Sequence, residues 1–316
     1  MGLENFEKVY NEFNQKINEQ SFEEALDLVD ILLDYAENEI DTFYTLMGKA
    51  AALTNLDRNN EVIETYKEII KNFKNTKDET ISKFLIYTYY NKALAYAKEK
   101  KYKSELKTYN LLLEKYIDDI SLDTEIVLVK AYMNKAICVT ELEGFENSLA
   151  VYKELVRNFE NSSKNDTILQ IAQALYNIAL IYGKKDENKE AIKAYDYVIS
   201  KYNNSDDEKI LELVAKSLVN KASKIRDLNN HKKALEIYNE VIEKFEDSKG
   251  ELKNQVALAL HNKSILLSEL NKDDEVLQVC DKIIEKFSQS KNEMIMNIVA
   301  SAEVVKDKER FSNNSF

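Results

Sequence analysis

Apolar side chains recur at helical intervals along most of the chain. Tyr195, Val198 and Tyr202 stand at i, i+3 and i+7, with Asp196, Ser200 and Lys201 between them. That spacing predicts a helix with one buried and one solvated face. The same triple returns every 43 residues as Tyr66–Ile69–Phe73, Tyr109–Leu112–Tyr116, Tyr152–Leu155–Phe159 and Tyr238–Val241–Phe245, and after a step of 42 as Cys280–Ile283–Phe287. A column of small residues keeps the same beat: Ala50, Ala93, Ala136, Ala179, Ala222 and Ser264. Lys precedes most of them, and Asn precedes that Lys. A fixed period of this size means one supersecondary unit copied in tandem.

Each unit reads as two antiparallel helices. In the clearest one, Thr167 to about Lys184 is the first helix, Asp186 to Asn188 the turn, and Lys189 to Tyr202 the second helix. Polar links follow at Asn75–Asp78, Asp118–Ser121, Asn161–Asp166, Asn203–Asp207, Asp247–Gly250 and Ser288–Asn292, where Asp, Asn and Ser can cap the next helix. The ends differ. Leu3–Asn18 and Phe22–Ala36 form an atypical N-terminal helix pair, in which Val29 takes the place of Tyr66 at a step of 37. Glu293 to Arg310 reads as one closing helix, with Met294, Ile295, Ile298 and Val299 as its apolar patch and a frayed tail from Phe311 to Phe316. Atypical ends are expected of a stack that must close its core and stay soluble. The chain as a whole, 1–316, is therefore expected to be a single all-α solenoid domain: the terminal pair over 3–36, six long repeats over 39–290, and a capping helix over 291–310.

Composition supports this. There is no Pro and there are five Gly, so helix breakers are scarce. Charged residues make up 32% and hydrophobic ones 44%, which suits helices with a solvated outer side. The net charge of −12 disfavours nucleic acid and anionic bilayers as partners. No stretch is long and apolar enough for membrane insertion. No secretory signal is visible at Met1–Tyr10, and Phe6 stands where a myristoylation motif needs Ser or Thr. Cys138 and Cys280 fall several repeats apart, too far for a disulfide. A reducing, cytoplasmic setting is the simplest reading.

Catalytic chemistry is not expected. The two histidines, His231 and His261, have no second His or Cys at metal-ligand spacing, so no metal or cofactor is expected. Cys138 shares a column with Ala52, Ala95, Ile181 and Leu266, and Cys280 sits in the Tyr column, so both read as core. His231 reads as an exposed turn residue. The carboxylates read as scattered on solvated faces, with no pair set apart for acid–base work.

The run from Ala174 to Tyr195 (Ala-Leu-Tyr-Asn-Ile-Ala-Leu-Ile-Tyr-Gly-Lys-Lys-Asp-Glu-Asn-Lys-Glu-Ala-Ile-Lys-Ala-Tyr) resembles the tetratricopeptide repeat. Leu175 takes the place of its Trp, Ile178 of its Leu, Ala179 of its Gly and Tyr182 of its Tyr. Ala191 and Tyr195 take the Ala and the aromatic of the second helix. The resemblance covers about residues 3 to 290. It departs from the family in its 43-residue period, in having no closing Pro, in Lys at the Leu place, and in Glu105 and Ser148 at the second-helix Ala place. It implies a right-handed α-solenoid of antiparallel helix pairs; a HEAT-like solenoid is the structural alternative.

The resemblance also implies a place for function, since in this family the first helices line a concave face that binds extended peptides. The Asn column, Asn91, Asn134, Asn177, Asn220 and Asn262, then reads as a ladder whose carboxamides hold a peptide backbone. Its other reading is structural, with each Asn bonding a neighbouring helix. Tyr87, Tyr90, Lys130, Met133, Tyr176, Lys216 and His261 are further candidates on the same face. The Lys column reads either as a positive rail or as stems laid over apolar neighbours with their ammonium groups in water. The function implied is a non-catalytic scaffold or adaptor for a protein or extended peptide partner. The alternative is a peptide-sensing regulatory receptor or a secretion chaperone of the same architecture.

Overall fold

A computed structural model describes residues 2–118 and 124–313, and all described elements are helices. They are α1 (Gly2–Asn18), α2 (Phe22–Asp27), α3 (Val29–Tyr35), α4 (Glu39–Asn55), α5 (Asn59–Phe73), α6 (Glu79–Lys98), α7 (Tyr102–Tyr116), α8 (Glu125–Glu143), α9 (Ser148–Phe159), α10 (Asn165–Lys184), α11 (Asn188–Tyr202), α12 (Glu208–Asp227), α13 (His231–Lys244), α14 (Gly250–Glu269), α15 (Asp273–Phe287) and α16 (Glu293–Asn313). The chain divides into two compact units, residues 1–155 and 156–316, with the division inside α9. The expected link at Asp118–Ser121 lies, beyond Asp118, outside the described residues.

Successive helices pack on one another from α1 to α8 in the first unit and from α10 to α16 in the second, as tandem helix pairs require. The periodic columns supply the contacts. Ala50, Ala93, Ala136, Ala179 and Ala222 are fully buried, and Ser264 is half-buried. Tyr66, Tyr109, Tyr152, Tyr195, Tyr238 and Cys280 are buried, as are the residues three and seven places after each. A side chain of this size contributes about 1.5–3 kcal/mol when it leaves water. The repetition of the columns, rather than one large central core, therefore holds each unit together.

The turns show how the chain reverses with so little glycine. Asp57, Lys100, Asp186, Asn229 and Asn271, just past the first helices, adopt left-handed φ between 53° and 60°. Each lets a backbone N–H reach back over the helix end: Arg58 to Leu53 O at 3.0 Å, Lys101 to Tyr96 O at 2.9 Å, Glu187 to Tyr182 O at 3.0 Å, Asn230 to Ile225 O at 3.1 Å and Lys272 to Leu267 O at 3.0 Å. This is the Schellman closure, formed mostly by Asp and Asn, the residues that tolerate positive φ best after Gly. The links behave as their composition predicts in three places. Asp78 accepts from Ile81 N at 2.9 Å, Asp207 from Lys209 N at 2.8 Å, and Asn292 from Ile295 N at 3.2 Å. Lysines near the ends of the second helices tie successive repeats. Lys115 Nζ donates to Lys74 O at 3.3 Å, Lys201 Nζ to Glu160 O at 3.0 Å, and Lys244 Nζ to Asn203 O at 2.9 Å. Each puts a cation on the negative end of the preceding second helix.

Both chain ends depart from the sequence reading. The expected helix Phe22–Ala36 is broken at Leu28 into α2 and α3, where Leu28 N bonds Ala25 O in a tightened turn. The break lets Ala25, Val29 and Leu32 all face Phe6 and Phe13 of α1. Gly48 explains why Asn is missing from its column there, since a Cβ at Gly48 would lie 2.7 Å from the Phe13 ring. At the other end α16 runs to Asn313, past the expected stop at Arg310, so the backbone at 311–313 is helical rather than frayed. Ile295, Ile298 and Val299 are buried as expected, but Met294 is exposed.

Tyr238 provides a test of this packing. Its ring is fully buried while its hydroxyl has no hydrogen-bond partner. Tyr238→Ala is expected to cost about 3–5 kcal/mol in urea unfolding. Tyr238→Phe, which removes only an unsatisfied polar group, is expected to be neutral or stabilising. A Phe variant destabilised as much as the Ala variant would contradict the assignment.

Candidate functional site

The first helix of each pair carries one stripe that the core does not consume. On α6 it runs Lys83, Tyr87, Tyr90, Asn91, Leu94 and Lys98, at intervals of three and four residues that keep one helical face. On α8 of the same unit it runs Ile126, Lys130, Met133, Asn134, Ile137 and Glu141. The second unit repeats it with Tyr176, Asn177 and Leu180 on α10, Lys216 and Asn220 on α12, and His261, Asn262 and Ile265 on α14. α6 packs on α8 in the first unit, and α10 on α12 and α12 on α14 in the second. Each unit therefore brings its own stripes side by side. Lys130 is exposed, and the other sequence-selected residues are half-buried.

The Asn residues are engaged between helices. Asn134 Nδ2 donates to the Tyr90 hydroxyl at 3.0 Å, and Asn220 Nδ2 to the Tyr176 hydroxyl at 2.9 Å. In both cases the Asn stands on one first helix and the Tyr on the first helix of the preceding repeat. Asn91 has no tyrosine on the preceding first helix, because Met47 holds the position that Tyr90 holds one repeat later and offers no hydroxyl; its side chain instead lowers the pKa of Tyr66 on α5 against a larger rise from burial. Asn177 accepts from Gln173 Nε2 at 3.1 Å on its own helix. The column thus clamps neighbouring helices wherever a tyrosine is in reach. Burial raises the pKa of Tyr66, Tyr90 and Tyr176, so these phenols stay protonated near neutral pH.

A feature that sequence reading passed over lies on the same stripe, one helical turn past the Asn. Leu94, Ile137 and Ile265 are 36%, 56% and 37% exposed, and Leu180 is half-buried in the same register. The signal is in the sequence, because a large apolar residue follows the small-residue column by one place in four of the six repeats, with Ala51 and Ser223 in the other two. It is easily missed because an apolar residue next to a buried Ala reads simply as more core.

Two cavities open on these faces. In the first unit one of 320 Å³ lies between α4, α5 and α6, with Ala51, Val62, Tyr66, Asn91, Leu94 and Lys98 among its lining. In the second unit one of 610 Å³ is lined by Leu258 and His261 of α14 and by Glu293, Met294, Asn297, Ile298 and Ser301 of α16. Burial lowers the His261 pKa, which keeps its imidazole neutral near pH 7. His261 thus stands in a cavity wall, whereas His231, expected to be exposed, is half-buried with Nδ1 sealed and unpartnered.

The charged residues also need correction. Burial lowers the pKa of Lys92 and of Lys263, so their ammonium groups are not simply in water. Lys92 Nζ lies 5.5 Å from the centre of the Tyr89 ring. Lys221 does find a charge, Asp196 at 2.5 Å. Glu105 is not on a solvated face at all. It is 4% exposed, and its Oε2 has no partner. It stands in register with Val62, Ser148, Ala191 and Ala234, all buried. Burial pushes its carboxyl up to about 7, and a hydrogen bond with Cys138 opposes that. Cys138 is held at about 12, by burial first and by Glu105 next, and its Sγ lies 3.2 Å from Tyr102 O. Both cysteines are buried and free.

A family model for the tetratricopeptide repeat matches residues 173–205, which begin in α10 and end just past α11. Comparison with curated proteins finds no match. Among solved structures, the apo form of RapI superposes with a TM-score of 0.62 at 16% identity, covering 98% of this chain and 88% of that one. Naa15/Naa10 bound to HypK-THB gives 0.50 at 12% identity, over 98% of this chain and 42% of that one. A tetratricopeptide repeat protein from Parabacteroides merdae ATCC 43184 gives 0.48 at 11%, over 95% and 99%. At such identities the likeness concerns the fold, an α-solenoid of tetratricopeptide type.

Glu105 makes the stability of the fold depend on pH. A carboxyl whose pKa is raised on folding stabilises the folded state less as pH climbs from its unfolded pKa, 4.5, through its folded one, about 7. Glu105→Gln is therefore expected to raise stability at pH 8 by about 2 kcal/mol more than at pH 5. Thermal or urea unfolding of both proteins across that range checks it. A difference that does not change with pH would contradict the burial of an ionisable Glu105.

Proposed function

From a chain that carries a tetratricopeptide repeat and folds as a solenoid of helix pairs, we propose a non-catalytic binding module that holds an extended segment of a partner protein along its first-helix stripes. The observation that carries this reading is the repeated exposure of Leu94, Ile137 and Ile265 beside the Asn column. An apolar residue exposed at the same register in several repeats is a line of anchor points, unlike scattered surface leucines. The carboxamides next to them offer donors and acceptors at the same pitch. Neighbouring packed helices stand about 8–10 Å apart, which matches roughly three residues of extended chain at about 3.3 Å each.

Other features fit the same role. Both thiols are buried with raised pKa values, which makes them poor nucleophiles and suits a reducing cytoplasm. The net charge of −12 favours protein over nucleic acid as partner. No described helix is long and apolar enough to cross a membrane.

Selection of binders from a random peptide display library on the intact protein tests the proposal. Ile137→Asp is expected to weaken the selected peptides at least ten-fold, with the melting temperature held within a few degrees. The triple variant Asn134→Ala, Asn177→Ala, Asn220→Ala is expected to weaken them further. Peptides that bind both variants as tightly as the parent would remove the first-helix face from the binding surface.

A further inference from the structure

The 320 Å³ cavity in the first unit has a cause that can be read from the repeat register. The column one place past the small residue reads Ala51, Leu94, Ile137, Leu180, Ser223 and Ile265. The column that opens the second helix reads Asn59 and then, one repeat later, Tyr102. Between α4 and α6 the stack thus has Ala and Asn where the next interval has Leu and Tyr. The cavity is the volume those two side chains would fill.

Its lining decides the guest. Ala51, Val62, Leu94, Ala95 and the Tyr66 ring give it carbon walls. Thr54 Oγ1 donates to Ala50 O at 2.7 Å and Asn55 Nδ2 to Ala51 O at 2.9 Å, so the Thr54 donor and one of the two Asn55 donors are spent on their own helix. Asn91 and Asn59 also stand in the wall and bring carboxamides to it. A space of this volume is at the low end of the ~300–1,000 Å³ range of ligand pockets. It has room for one large side chain rather than a cofactor.

The charge around the cavity decides the flanks. Lys98 is part of the lining, and its only described anion is the highly exposed Asp57 at 3.6 Å. The stripe on α6 begins with exposed Lys83, and the stripe on α8 carries exposed Lys130. Glu141 is the acid on those two stripes. On these two stripes a chain of net charge −12 has thus placed three lysines and one acid, with Asp57 beside Lys98.

We infer that this cavity receives the aromatic side chain of an extended acidic peptide segment, with the ring between Ala51 and Leu94 and the flanking carboxylates toward Lys98, Lys83 and Lys130. The inference rests on the binding role proposed above and adds its chemistry. A Trp or Tyr guest suits the site best, because its apolar body meets carbon and its N–H or O–H meets Asn59 or Asn91.

The test uses the full chain and synthetic eleven-residue peptides with a central Trp, Leu, Ala or Lys, flanked by either Asp and Glu or Lys and Arg. Fluorescence anisotropy is expected to show the acidic Trp peptide binding at least ten-fold more tightly than the acidic Ala peptide. Both should exceed their basic counterparts. Ala51→Leu, which installs the side chain found one repeat later, should reduce the Trp-over-Ala preference to within two-fold and leave binding of the Ala peptide in place. Lys98→Glu, at an exposed position, should narrow the acidic-over-basic preference without touching the first. Equal affinity for Trp and Ala, an unaltered preference in a folded Ala51→Leu protein, or tighter binding of basic flanks would each overturn the inference. Absence of any peptide binding would instead sink the broader proposal, and this one with it.

Discussion

A helix pair can pack only if its two helices come close, and here that approach depends on a residue no larger than serine: Ala179 of α10 packs against Ala191 and Tyr195 of α11. Five alanines at this position have no exposed surface. A larger side chain would push the helices apart, and the tyrosine behind it would lose its contacts. Close packing of protein interiors makes such a column sensitive to a single methylene. The remaining features follow from it. The tyrosines fill the grooves that the alanines leave, the Schellman turns return the chain at a fixed length, and the lysines close the ends of the second helices.

The same spacing gives the exposed stripe its regularity. Once the small residue and the tyrosine are fixed, the residues two places before and one place after the small residue must come to the face of the first helix. One of these is the Asn, whose amide is drawn into the tyrosine hydroxyls of Tyr90 and Tyr176. The other is the apolar residue, which has no such partner and stays open. Under the proposed binding role, structure and recognition are divided between neighbouring positions on one turn. The two readings of the Asn column meet here, because a carboxamide donating one N–H to a neighbour still has an acceptor and a second donor.

Much of the fold was legible because periodicity averages out local ambiguity. A single i, i+3, i+7 match is weak, but Tyr, then aliphatic, then aromatic in register predicted each buried set. The site was less legible, for physical reasons that differ from residue to residue. Glu105 looked solvated because charge outweighs register in a linear reading; comparison with Ala191 and Ala234 places it inside. The partner of each Asn depends on what the preceding repeat carries three places before its small residue: Tyr90 or Tyr176 in two cases, Met47 in another. That is a pairing between helices and leaves no mark in one stretch of sequence. The break at Leu28 reflects how α2 and α3 must both meet α1, which no periodic pattern specifies. A cavity is an absence, visible only when Ala51 is set against Leu94.

The most direct measurement compares adjacent positions on one helix. Ala136→Leu and Ile137→Ala change the same kind of volume in opposite directions, and in the second unit Ala222→Leu is set against Ser223→Ala, which removes only a hydroxyl. Urea unfolding is expected to show a loss of about 1–3 kcal/mol for each substitution in the small-residue column. The neighbouring substitutions should stay within about 0.5 kcal/mol. Equal losses at the paired positions, or leucines accepted at Ala136 and Ala222 without cost, would mean that the close approach of the two helices of each pair does not hold the stack together.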